Sequence, residues 1–405
     1  MQQILQDLFL RKIFTEKWGV YAMQGVKRLC IYVTYSRDNK IKEYMGYMLN
    51  AIRTHVDELY VVCNCPAIKG GIEHIQPYAD DIFYRENKGY DAGAYKDMLC
   101  TLLGWNEIYK YDELILMNDS FLGPFYDFGS YFELMKNVAC DFWGMTRQFS
   151  GEMERFKYKY KPHVHSYFLV FRKKVLCSDE FRSFWENFAY PKTFDETVLN
   201  FEVKLNEYLE QYGYASIALT DVWRMTFEEN IIPFLYYSLE LIRDHAFPFL
   251  KKKCLLIRNG GFSNTLEAVK YLEKNSKYPV KWIWEQLDSQ FYIENYAPSN
   301  TNCLEFFYQS FKKIYIYGAG VCGKNLTTYF HHKGWQYAGI IVSDKTKQDM
   351  ECLQFDDVEV DEETGIIISV IHKEVSEEIV RYIESKCRHE QLFVMYDCTA
   401  IRIPQ

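Results

Sequence analysis

The sequence predicts an α/β chain with two units, each built around a largely parallel sheet. Three observations carry this. Short apolar runs alternate with helical patterns from residue 28 to residue 120, the alternation restarts near residue 312, and the polar turns of the first series fall after strands.

In chain order, Leu29-Cys30-Ile31-Tyr32-Val33-Thr34 is the first strand and ends in the polar turn Tyr35-Ser36-Arg37-Asp38-Asn39. Met45, Met48, Leu49 and Ile52 recur at helical spacing over about 41–56. Glu58 to Cys63 forms the second strand and stops at Asn64. Asp81 to Arg85 forms a third, running into Glu86-Asn87-Lys88-Gly89-Tyr90-Asp91-Ala92-Gly93 and a helix that reaches about Leu103. Glu113 to Met117 is a strand closed by Asn118-Asp119-Ser120. Strand patterns return at Asp141–Met145, His165–Phe171 and Tyr214–Leu219, with helices at 178–189 and 196–211. Residues 230–310 read as helical. Right-handed βαβ crossovers place every post-strand loop on one sheet edge, where open α/β sheets bind ligands.

A chain of 405 residues exceeds a typical single domain. The sequence divides into an N-terminal helical segment (1–27), a first α/β domain (28–240), a helical extension (241–310) and a second α/β domain (311–405). Hydrophobic residues make up 48% and charged residues 25%, enough for a real core. A net charge of -8 argues against nucleic acid as the main partner, although Lys251-Lys252-Lys253 is locally basic. The 34 Tyr suit sugar-binding walls as well as a core. Twelve Cys lack paired metal spacing, and Cys63 and Cys65 form only a C-x-C; reduced thiols and a cytoplasmic location follow. No apolar run reaches the ~18–20 residues a membrane span needs. The stretch Ile4 to Phe14 reads as an amphipathic helix, either lying on a membrane surface as a peripheral contact or packing on its own domain.

Three groups of residues carry candidate chemistry. Asp119, at the end of a buried strand, offers a hard oxygen ligand for Mn²⁺ or Mg²⁺ carrying a diphosphate, with Asn118 or Ser120 assisting; equally, it caps the turn. Lys88, Gly89 and Gly93 open a helix whose N–H groups suit an anion, and Asp91 either caps that helix or bonds a ribose or sugar hydroxyl. His163 and His165 lie two apart on one strand with no evident third metal ligand. Glu202 interrupts an apolar helical face, either as a general base with its pKa raised by burial or as an ion-paired structural acid.

These segments resemble the rhamnan synthesis protein F family. The resemblance rests on Glu86 to Asp91, Leu116 to Pro124, Asp141 to Thr146, His165 to Phe171, Phe201-Glu202-Val203 and Pro248-Phe249-Leu250-Lys251-Lys252, and spans roughly residues 28 to 290. It implies a GT-A-like nucleotide-sugar-binding domain with a mixed, mostly parallel sheet. It further implies transfer of a sugar, rhamnose from dTDP-rhamnose being the expected donor, onto a lipid-linked cell-wall or capsular glycan at the inner face of the membrane. The mechanism would invert if the donor is β-linked and the product α-linked. Donor contacts would come from Thr34, Tyr35, Ser36, Asn87, Lys88, Gly89, Asp91, Asn118, Asp119 and Ser120. Asp119 would sit near metal or diphosphate, and Glu202 or His165 near the acceptor. A single acid in Asn118-Asp119-Ser120, where a D-x-D pair would bind metal more strongly, leaves metal dependence open.

Beyond residue 311, the strand Lys313–Tyr317 runs straight into Gly318-x-Gly320-x-x-Gly323 and a helix, the context of a dinucleotide fingerprint, with Asp344 about 20 residues further on. A small Rossmann-like domain follows, serving either as a second nucleotide site, for example for NAD(P), or as a structural or docking module. The rival functions are therefore an NAD(P)- or nucleotide-dependent sugar-modifying enzyme and a non-catalytic polysaccharide-assembly protein.

Overall fold

The computed structural model describes residues 25–36, 39–223, 225, 232–255, 265–289, 303–343, 351–370 and 372–395. Most of the 1–27 segment, Asp344 and the two turn residues Arg37 and Asp38 lie outside the described residues. Two compact units emerge. The first runs up to Phe234 and includes Glu240–Lys251 and Ser276–Tyr278; the second takes Leu235–Leu239, Lys252–Asn275 and the chain from Pro279. The stretch 241–310 is thus shared between the units.

The first unit is built from β1 (Arg28–Thr34), β2 (Glu58–Cys63), β3 (Asp81–Tyr84) and β4 (Glu113–Asn118), followed by the short β5 (Phe121–Leu122). Then come β6 (Phe142–Gly144), β7 (Arg147–Gln148), β8 (Gly151–Met153), β9 (Tyr158–Tyr160), β10 (His163–Val164), β11 (Phe168–Arg172), β12 (Ser216–Ala218) and β13 (Leu250–Lys251). Seven of these form one sheet in the order β12-β6-β11-β4-β1-β2-β3. β1 is parallel to β2 and β4, β2 to β3, and β6 to β12, while β11 is antiparallel to both β4 and β6. The sheet is mixed and mostly parallel: six strands point one way and β11 runs against them.

All seven residues of β1 are buried, as expected of a parallel strand covered on both faces. Leu29, Ile31 and Val33, alternating along it, join Tyr95, Leu99, Trp185, Phe201 and Leu205 in one core. The helix Glu43–Arg53 buries Tyr44, Met45, Met48, Leu49 and Ile52, the spacing of one helical face.

The expected strand over 165–171 begins only at Phe168. β10 ends at Val164, residues 165–167 turn, and β11 starts at Phe168. The expected helix over 196–211 carries a wide i→i+5 segment at Val198–Val203 between the α-helical stretches Phe194–Thr197 and Lys204–Gln211.

In the second unit β14 (Lys313–Tyr317), β15 (Gly339–Val342), β16 (Leu353–Gln354), β17 (Thr364–Ile368) and β18 (Leu392–Val394) form an all-parallel sheet, ordered β16-β15-β14-β17-β18. The helices Val321–Lys333 and Lys373–Ile383 follow β14 and β17. Starting in the middle and winding out both ways is the order of a doubly wound α/β sheet.

Candidate active site

The carboxyl ends of β1, β2 and β4 are stitched together by backbone bonds that continue the sheet. Asn64 N donates to Thr34 O at 2.8 Å, Asp119 N to Val33 O at 3.1 Å, and Asn118 N to Tyr167 O at 3.2 Å. These bonds fix Thr34, Asn64, Asn118 and Asp119 as neighbours on one rim, so the turns expected to share an edge do share it.

Side chains then link the rim. Thr34 Oγ1 donates to Asp119 Oδ2 at 3.0 Å. Asn118 is the hub: its Nδ2 donates to Asp91 Oδ2 at 2.6 Å, and its Oδ1 accepts from Ser120 N at 3.1 Å and Ser120 Oγ at 2.5 Å. Asp91 also accepts from Ala92 N at 2.9 Å. Burial pushes the Asp91 carboxyl above its usual range, and the bonds from Asn118 and Ala92 offset only part of that.

The loop that carries Asp91 is held from beneath. Arg85 pairs with Asp97 at 2.8 Å and donates to Asn64 Oδ1 at 2.6 Å and Lys88 O at 2.7 Å. Gly89 takes φ 76°, a left-handed value that suits glycine, and leads into the helix Tyr90–Asp97. Asn87 and Lys88 are exposed. The Lys88 ammonium lies 4.6 Å from the Tyr190 ring centroid. Tyr35 is 38% exposed at the rim and Ser36 is buried.

In the sequence Lys251 belongs to a basic run and to the last segment of the family resemblance, with no role assigned to it. β13 pairs antiparallel with β5, putting Lys251 opposite Phe121. From there its Nζ donates to Ser120 Oγ at 2.5 Å and lies 3.9 Å from the Tyr167 ring centroid. The close approach needs Gly123, at φ 132°: a Cβ there would sit 2.3 Å from Pro248 O. The signal was present in Leu122-Gly123-Pro124 and Pro248-Phe249-Leu250-Lys251, two segments that gain meaning only as partners.

Glu202 and the two histidines form a second cluster beside the turn 165–167. Glu202 Oε2 accepts from Ser166 N and Oγ, both at 2.7 Å, and Oε1 lies 3.8 Å from His163 Nε2. Burial alone would raise the Glu202 pKa. The close contact with His163, the charges of His165 and His163, and the Ser166 bond outweigh it and hold the carboxyl well below the usual range. The upward shift expected of a buried general base is therefore corrected to a downward one, because the acid is paired. Desolvation pulls His163 down, but its Glu202 partner wins and the net shift is upward. His165, bonded through Nδ1 to Thr146 Oγ1 at 2.9 Å, is pushed down to about 4, chiefly by burial. The histidine rings are 6.3 Å apart and tied to different partners, so they do not chelate as a pair.

Among the described residues, no three His, Cys, Asp or Glu converge to hold a metal ion by themselves. The rim nevertheless has the donor set for a Mg²⁺- or Mn²⁺-carried diphosphate. One carboxylate, Asp119, sits beside the Thr34 hydroxyl, and such ions bind through one or two carboxylates plus substrate phosphates.

In the second unit the expected fingerprint loop follows β14. Gly318 takes φ 114°, and a Cβ on Gly323 would sit 1.9 Å from Gly318 O, so both glycines answer to local packing; a Cβ on Gly320 would meet nothing within 4 Å. Asp344, the expected ribose acid, lies outside the described residues. No helix among the described residues is long and apolar enough to cross a membrane.

Known proteins of related sequence include the virulence protein VirA of Vibrio anguillarum, 28% identical over 278 residues, covering 61% of this chain and 85% of that protein. An uncharacterized Sinorhizobium fredii protein, y4gN, is 24% identical over 194 residues, covering 45% of this chain and 47% of that one. Among solved structures, core-mannan synthase A of Aspergillus fumigatus in its Mn/GDP form aligns with a TM-score of 0.24 and 9% identity over 43% of this chain and 69% of that one. A mannosyltransferase of S. cerevisiae in complex with GDP aligns with a TM-score of 0.26 and 7% identity over 55% and 77%. Apart from Thr34, the rim residues from Asn64 through Asn118-Asp119-Ser120 to Lys251 lie inside residues 59–316, which match the family described as rhamnan synthesis protein F; the chain belongs to that family.

Proposed function

We propose that the chain is a glycosyltransferase. It moves a sugar from a nucleotide-sugar donor, bound at the carboxyl rim of the first sheet, to a hydroxyl of a growing polysaccharide. One observation carries this reading. Thr34–Asp119 and Asp91–Asn118–Ser120 are two hydrogen-bonded chains on the edge where α/β sheets take ligands, and all of these residues except Thr34 fall in the span matched by a polysaccharide-synthesis family. Rhamnose from dTDP-rhamnose is the donor suggested by the family description, and a lipid-linked glycan the acceptor.

In this mechanism Asp119 would hold the divalent ion, which when bound neutralises charge on the leaving diphosphate. Thr34 orients the Asp119 carboxylate, and Asn118 fixes Asp91 and Ser120 relative to one another. An inverting transfer needs one group to take the acceptor proton. Asp91 suits that task better than Glu202, because burial raises its pKa while pairing lowers that of Glu202, and His165 is buried and tied to Thr146. Glu202 then shapes the turn carrying His165 and Tyr167, on the acceptor side.

A thermal-shift panel of dTDP-, UDP- and GDP-sugars with and without Mn²⁺ or Mg²⁺ tests the reading, since a ligand bound only by the native state raises apparent stability. One nucleotide sugar should shift the melting temperature selectively, and Asp119→Ala should fold yet lose donor turnover. A response to NAD(H) alone would instead favour the sugar-modifying reading through the Gly318–Gly323 loop.

A further inference from the structure

We propose that Lys251 is the cation that receives the donor diphosphate as the sugar leaves. The proposal rests on the donor reading above and adds to it a residue supplied by a remote segment.

When the glycosidic bond breaks, its electron pair goes to the bridging oxygen of the nucleoside diphosphate. The acceptor oxygen bonds the anomeric carbon, and its proton passes to the base. The departing diphosphate gains negative charge, and a preorganised positive group aimed at it lowers the barrier. Three features put Lys251 in that position. It touches Ser120, the residue after Asp119, at 2.5 Å. It is held by main-chain pairing rather than by a flexible loop: Leu250 and Lys251 pair with Leu122 and Phe121. Its ammonium rests on Tyr167, 3.9 Å from the ring centroid, which fixes the long stem. Its charge also reaches into the site, drawing the carboxyl of Asp91 and the imidazole of His165 downward. Lys88, expected among the donor contacts, lies over Tyr190. With one carboxylate at the metal position, Lys251 supplies diphosphate charge compensation alongside any ion held by Asp119.

The test uses the full chain and calorimetric titration with dTDP, UDP and GDP and the matching monophosphates, with and without Mn²⁺. The wild type should bind one diphosphate at least about tenfold more tightly than its monophosphate. Lys251→Gln should shrink that ratio about tenfold, leave monophosphate affinity unchanged, and lower kcat at saturating donor by about 10²–10³. Lys251→Arg, which keeps the charge, should restore most of the ratio. A merely structural lysine would weaken both ligands alike. A folded Lys251→Gln chain that keeps the wild-type ratio overturns the proposal and leaves the donor reading intact. If the Gln variant does not fold, a folded Lys251→Arg chain that loses the ratio overturns it. A wild type that binds no nucleoside diphosphate overturns the donor reading itself, and the role of Lys251 with it.

Discussion

Asp91→Asn separates charge from shape at the centre of the rim. Burial is the largest influence on Asp91 and raises its pKa; the bonds from Asn118 at 2.6 Å and Ala92 at 2.9 Å oppose it without cancelling it. Because the folded carboxyl titrates above the unfolded one, the unfolded chain binds fewer protons between the two pKa values, and stability falls as pH rises through that window. Above the window the wild type carries an ionised Asp91 whose burial opposes folding. The amide keeps an acceptor oxygen for Asn118 and gives up the local Ala92 bond. On the bonding side, a charged hydrogen bond of about 1.5–3 kcal/mol becomes a neutral one of about 0.5–1.5 kcal/mol. Relief of burial exceeds that loss, so the variant should be more stable than wild type at pH 7 by about 0.5–1 kcal/mol, within the usual range for substitutions that relieve a functional site. The gap should close as pH falls through the folded pKa, where wild-type Asp91 is protonated. Urea unfolding across a pH series reads both terms, and donor turnover should fall by about 10²–10⁴-fold if Asp91 takes the acceptor proton. A variant less stable than wild type at pH 7, or a gap that widens on acidification, would refute the burial argument. Retained turnover would remove Asp91 from the proton-accepting role.

Glu202→Gln should destabilise the chain by about 2–3 kcal/mol through loss of charge-assisted bonds to Ser166 and of the ion pair with His163. The depressed Glu202 contributes stability above the unfolded carboxyl pKa, and the raised His163 contributes most below its unfolded value and loses it as pH rises through the folded one. The penalty in urea unfolding should therefore be largest in mildly acidic buffer and shrink toward alkaline pH, and kcat of the folded fraction should stay within about tenfold of wild type, a loss of 10² or more restoring Glu202 as the base. Gly123→Ala places a Cβ 2.3 Å from Pro248 O at φ 132°, so calorimetry should show a lowered Tm and titration a weakened hold on diphosphate as Lys251 is displaced. In the second unit Gly323→Ala should destabilise strongly, with its Cβ 1.9 Å from Gly318 O, while Gly320→Ala should unfold within about 0.5 kcal/mol of wild type; equal effects would contradict the packing account.

Local patterns were enough for much of the fold. Glu58–Cys63 and Lys313–Tyr317 are strands with the bounds read from the sequence, because a largely buried strand needs a short, mostly apolar run. The edge-sharing of Thr34, Asn64, Asp91 and Asn118 was equally legible, since parallel connections bring every post-strand turn to one side. The split at residues 165–167 was hidden, since an apolar run does not reveal a turn whose polar groups are satisfied by Glu202 from a distant helix.

By itself, the sequence determined the alternation of strands and helices, the polar turns on the ligand edge and membership of a polysaccharide-synthesis family, all of which depend on residues close together in the chain. Only the tertiary structure decided which charges act at that edge. It set Lys251 against Ser120 across 131 positions and paired Glu202 with His163. It thereby moved two acids in opposite directions, raising Asp91 and lowering Glu202. Burial and pairing compete at each group, and their balance depends on neighbours that the chain brings together only when it folds.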